Sequence, residues 1–309
     1  MDERKHQLLK APAINGWYLF WTVTAPISIA VLVAAVTADL SSGEGVSSLV
    51  QFSVRCAVPL LLLVFAASSI QVLFPGSFAR WLLRNRKYLG LGFAAAMAWQ
   101  ALFILWLVVG HTGYYVAKVY VLRDAIEGVI GYTFLLAMTV TSFPRGRKHV
   151  SPGKWRILHL GGIHFLWAYT FSTYWWSLFH YPDPVLLDYV FYASGLAAWT
   201  LRATAWGRTR SVAAGKAEAA GGHGSPPFRM AGVALIGIGL VISIFGSAWK
   251  TIASASLYGY DFTEILELYL PFWPFEPFLP LAVILGGIYL TTLPAGGATS
   301  QPTTSAAWK

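Results

Sequence analysis

The chain has 309 residues, of which 56% are hydrophobic and 11% charged, with a formal net charge of +9. Soluble domains carry about 25% charged residues, so this composition excludes an ordinary water-soluble enzyme. The single cysteine, Cys56, excludes a disulfide, an iron–sulfur cluster or a cysteine-based zinc site within one chain.

Apolar runs of about 18 or more residues read as membrane-spanning helices. Eight occur, at about 17–39, 51–74, 88–110, 125–143, 157–178, 185–206, 230–249 and 276–293. The expectation is an all-α, polytopic membrane bundle. Residues 1–44 form an N-terminal cytoplasmic segment with the first span. That span is about 22 residues long and lacks a small-residue cleavage site, so it reads as an anchor rather than a removable signal. Span two carries Arg55, which either snorkels to headgroups or contacts an anionic ligand such as a propionate or a quinone oxygen. Span three contains Gly90-x-Gly92, but no strand precedes it. The small residues of "GLGFAAAMA" suit close helix packing, not dinucleotide binding. Span five opens with His159 and His164, five residues or roughly 140° apart, too far round the helix to serve one metal from one face. It ends in Tyr174, Trp175 and Trp176, an interfacial girdle.

Residues 207–229 are small, polar and rich in Gly and Pro, and read as a flexible cytoplasmic loop. Residues 230–309 supply two further spans joined by the acidic, aromatic "LYGYDFTEILELYLPFWPFEPF", either an interfacial helix on the outer face or a partner-docking surface. Basic residues alternate with the spans. They precede span one (Arg4, Lys5, Lys10) and lie between two and three (Arg80, Arg84, Arg86, Lys87). They recur between four and five (Arg145, Arg147, Lys148, Lys154, Arg156) and around the loop after six (Arg202, Arg208, Arg210, Lys216, Arg229). The other loops hold only Lys118, Arg123 and Lys250. This positive-inside pattern places both termini in the cytoplasm and the chain in the inner membrane, and it accounts for the net charge without a nucleic-acid partner.

"RNRKYLGLGFAAAMAWQALFILWL", followed by "MTVTSFPRGRKHVSPGKWRILHLGGIHFLWAYTFSTYWW", resembles the ferric-reductase-like transmembrane family. Within it, the likeness is to the haem-binding membrane subunits of bacterial methionine sulfoxide reductase systems. The shared features are Tyr88-Leu89-Gly90-Leu91, the Thr141-Ser142 exit of span four, Trp155-x-x-x-His159 at the start of span five, and Arg55 in span two. The resemblance covers about residues 45–206 and implies a six-span ferric-reductase-like core. It also implies haem b held by histidines of spans three and five. Carried over residue by residue, it retains His159 as a haem-iron ligand but puts Gln100 and Ser172 at the other two ligand positions. Amide and hydroxyl oxygens bind haem iron poorly beside imidazole. Neither His111, His164 nor His180 pairs with His159 by helical counting, and His149 and His223 fall in loops.

By this resemblance the chain is an integral membrane component of an electron-transfer system, associated with quinone or haem b. Its electrons would come from a separate donor, because no flavin or nicotinamide domain is attached. The expectation is that Gln100 and His159 share one cavity at similar depth, with haem bound at less than one per chain. The alternative is a cofactor-free structural or assembly subunit of a larger membrane complex, its cofactor cavity filled by aromatic side chains and its partner in the membrane or at its outer face. A transporter is disfavoured by the lack of internal inverted repeats and paired intramembrane carboxylates.

Overall fold

The computed structural model describes residues 9–179, 183–219, 226–244 and 278–293. Every regular element among them is a helix. The eight longest are α1 (Gly16–Thr37), α2 (Gly43–Leu73), α3 (Ser77–Gly110), α4 (Leu122–Thr141), α5 (Pro152–Phe179), α6 (Leu186–Ala219), α7 (Pro226–Ile244) and α8 (Phe278–Thr291). One overlies each apolar run of the sequence. In chains this apolar, a helix is the form that satisfies each backbone polar group within its own segment. Four of them, α1 to α4, are long and apolar enough to cross a membrane, and shorter apolar stretches lie at Phe228–Ser243 and Pro280–Thr291.

Helix ends differ from the apolar runs where local chemistry extends them. Ser42 caps α2 by accepting the Gly45 amide at 3.0 Å, so the helix starts eight residues before its apolar run. Helix α3 starts at Ser77, so the basic residues expected in a loop, Arg80 to Lys87, ride on its first turns. The expected flexible loop over 207–229 is largely helical: α6 continues to Ala219 and α7 begins at Pro226. Its alanine-rich "SVAAGKAEA" has high helix propensity, which outweighs its lack of apolar side chains.

The chain divides into two units, Met1–Leu178 with Pro182–Ala198, and Phe179–Tyr181 with Trp199–Lys309. The first span belongs with the helices after it, because its start is locked to α3. Gly16, at φ +61°, donates its amide to Asn85 Oδ1 at 2.9 Å, a backbone conformation that favours glycine. Asn85 returns a bond from Nδ2 to Asn15 Oδ1 at 3.0 Å, and Trp81 Nε1 donates to the Ile14 carbonyl at 2.8 Å.

In the first unit, α2 is central, with Val58, Leu61, Phe65 and Ala67 all buried. Val31, Val46, Leu49, Phe103 and Leu107 join α1, α2 and α3 in one cluster. Many large apolar side chains face outward, among them Val36, Val109, Val129 and Leu136, a surface compatible with bilayer contact. In the second unit, α7 and α8 cross closely at glycines. A Cβ on Gly232 would lie 2.6 Å from the Gly287 carbonyl oxygen, and one on Gly239 would lie 2.8 Å from that of Pro280. The aromatic loop before α8, His180, His223, Arg4, Lys5 and Lys250 fall outside the described residues.

Candidate functional site

His159 lies two turns into α5, facing the C-terminal end of α4. Its Nε2 is 3.0 Å from Thr141 Oγ1, and the Thr141 hydroxyl donates to the Ala137 carbonyl at 2.7 Å. A hydroxyl has one hydrogen, so Nε2 is the donor in its bond to Thr141 and has no lone pair to offer a metal. Trp155 lies against the imidazole at a tilt of 32° with ring centroids 4.2 Å apart, and its Nε1 donates to the Thr141 carbonyl at 3.1 Å. Arg147 lies 4.7 Å over the Trp155 ring and donates from Nη1 to the Val150 carbonyl at 2.8 Å. The Trp155/His159 spacing and the Thr141 exit, separate marks in the sequence, thus form one knot that closes the turn between α4 and α5.

Gln100 is elsewhere. Its Oε1 accepts the Tyr132 hydroxyl at 2.7 Å, with the Met97 carbonyl 3.2 Å from the same hydroxyl. Tyr132 and Thr141 are nine residues apart on α4, about 13 Å of helical rise. Arg86 of α3 stands near enough to His159 for its charge to act on the ring, and Gln100 is fourteen residues further along α3, about 21 Å. The expected shared depth of Gln100 and His159 is therefore corrected: each is satisfied at a different level of α4.

Ser172, buried, donates to the Tyr169 carbonyl of its own helix at 2.9 Å. Arg55, half-buried on α2, lies within electrostatic reach of Tyr174, as does Asp188. Tyr174 is fifteen residues beyond His159 along α5, about 22 Å. Of the four site residues expected from the sequence, His159 stands apart, while Ser172, thirteen residues or about 20 Å beyond it on α5, lies near the level of Gln100 and of Tyr174 beside Arg55.

The space between α2, α5 and α6 is filled by stacked rings. Phe65 lies parallel to Trp167 at 5.1 Å, Trp167 to Phe171 at 5.2 Å, and Phe171 to Tyr192 at 5.0 Å, with interplanar angles of 12°, 13° and 14°. Trp167 Nε1 donates to the Gly195 carbonyl at 3.0 Å. Gly195 itself makes room for the stack, since a Cβ there would lie 3.1 Å from Phe171 Cδ2. The residues present do not fit a haem iron. The one histidine at a ligand position spends its Nε2–H on Thr141, the carboxamide and hydroxyl are committed at other levels, and aromatic rings occupy the core. Among the described residues no group of three or more His, Cys, Asp or Glu could hold a metal.

A site that the sequence reading passed over lies at the opposite end of α4. Glu127 is 4% exposed, and its Oε1 is buried with no hydrogen-bond partner. Arg123 Nε donates to Asp124 Oδ1 at 3.0 Å and reaches only to 3.6 Å from Glu127 Oε1. The Arg123 guanidinium lies 5.3 Å over the Trp176 ring. Tyr169 lies within electrostatic reach of Glu127, and Tyr132 within reach of Tyr169. A polar series therefore runs Arg123, Glu127, Tyr169, Tyr132, Gln100 through otherwise apolar helices. The available signal was a carboxylate inside the fourth apolar run.

Compared with known protein families, curated proteins and solved structures, the chain matches none.

Proposed function

We propose that this chain is a haem-free, eight-span subunit of the inner membrane, ferric-reductase-like in its first six spans, that serves as a structural or assembly component of a larger membrane complex. The observation that carries this reading is the ring stack of Phe65, Trp167, Phe171 and Tyr192, which occupies the space between α2, α5 and α6. Close-packed aromatic rings fill that space, and the Nε2 of His159 is already engaged by Thr141. On this reading the aromatic interior replaces the cofactor as the rigid centre of the fold. The partner meets the chain through the outward apolar faces or the loops. Both termini face the cytoplasm, in keeping with the alternation of basic loops.

The test is a visible absorption spectrum of the purified full-length protein, alongside the Gln100→His/Ser172→His double variant. Neither is expected to show a Soret band, because the added imidazoles would stand beside a core already filled by aromatic rings. Full low-spin haem in the native protein would return the electron-transfer role to first place. Reporter fusions after Lys309 and within residues 212–224 should both report cytoplasm, and an outer-face signal from either would overturn the eight-span topology.

A further inference from the structure

We propose that Glu127 is a proton-binding site, loaded and unloaded from the aqueous phase at the N-terminal end of α4 as Arg123 exchanges between two carboxyl groups. The geometry is a cation with a choice. Arg123, Asp124 and Glu127 lie within five residues on one helix, and the guanidinium has taken the nearer carboxylate. The Asp124 side chain is 46% exposed and is solvated by water; that of Glu127 is 6% exposed, with Oε1 shut off from solvent. The bond went to the group that needs it less.

The other groups around Glu127 do not make up the deficit. From α5, Tyr169 lies within electrostatic reach of it and Trp176 holds the arginine against its ring; beyond Tyr169 lie Tyr132 of α4 and Gln100 of α3. No hydrogen bond reaches Oε1 from any of them. A buried carboxylate with one oxygen lacking a donor is a costly arrangement, whereas the neutral acid carries no charge to compensate. The observed arrangement is thus that of the loaded state: Glu127 as the carboxylic acid, with Arg123 bonded to the Asp124 carboxylate. Unloading moves one proton from the Glu127 carboxyl to water. The guanidinium then closes the remaining distance, from 3.6 Å to about 2.8 Å, onto the new Glu127 carboxylate, and Asp124 is released to solvent. Charge and protons balance with no other reactant, and the inference does not depend on whether haem is bound.

The experiment is infrared difference spectroscopy of the full-length protein in lipid nanodiscs at neutral pH, in H2O and in D2O. The native protein should show a protonated-carboxyl C=O stretch that shifts on exchange into D2O and is lost in Glu127→Gln. In Asp124→Asn the arginine loses its competing carboxylate and pairs with Glu127, so the band should fall to half or less. The Asp124→Asn spectrum decides the matter on its own if Glu127→Gln fails to fold. Absence of the band in the native protein, its survival in Glu127→Gln, or an unchanged intensity in Asp124→Asn would each overturn the proposal.

Discussion

The two ends of α4 place polar residues against the same neighbour, α5, with opposite results. At the C-terminal end, Thr141 uses its hydroxyl as both donor and acceptor and its carbonyl as a third contact, so that Ala137, His159 and Trp155 close on one another. At the N-terminal end, Arg123 turns to its own neighbour Asp124 and leaves a buried carboxyl oxygen of Glu127 without a hydrogen bond. Histidine is the residue usually suspected of chemistry, yet here it is a strut. Whether a polar side chain in a bundle is structural depends on whether its hydrogen bonds all end inside the protein, not on its residue type.

That contrast can be attacked by mutation, with stability read from unfolding in detergent. The largest loss should come from between the two ends: Trp167→Ala removes the middle of the ring stack and should cost about 3 kcal/mol, since the surrounding rings cannot collapse fully into the gap. Next, Thr141→Val keeps the shape but strands the His159 N–H. It should cost about 2 kcal/mol, and adding His159→Phe should recover part of that loss because no unpaired donor remains. Tyr132→Phe removes the donor to Gln100 and should cost about 1 kcal/mol. Glu127→Gln should be the mildest, within about 0.5 kcal/mol, because it cuts no formed hydrogen bond of Oε1. A Glu127→Gln loss as large as that of Thr141→Val would mean that the two ends are alike.

The helices were legible because a long apolar run has few alternatives to a helix; each run overlaps one among the described residues, and four of these are long and apolar enough to cross a membrane. The residues that matter at the ends of α4 were legible only as separate marks. Thr141, Trp155 and His159 stood out individually, but the bond between Thr141 and His159 joins residues eighteen apart on two helices, and spacing alone cannot supply that. Gln100 and His159 were expected at one level on the premise that two helices running the same way align by motif. The actual offset is set by where Tyr132 and Thr141 lie on a third helix, α4. Glu127 was visible as an acid in an apolar run but stood next to Arg123 and Asp124, a grouping that reads as a solvated helix start. Its lack of a donor is a property of packing. The helical continuation to Ala219 was legible in principle from alanine content but was hidden by the glycines and prolines that follow it.

The stacked rings also give the protein an optical signature of its own. The sequence holds 14 tryptophans, and several of them pack against another ring. Trp167 is buried and held nearly parallel to a stacked ring on either side, its indole N–H anchored to Gly195. A chromophore fixed in an asymmetric stack gives intense near-ultraviolet circular dichroism, and it loses that intensity when the stack loosens. The same feature that fills the interior therefore lets its integrity be followed by light, in a membrane or in detergent, without a label.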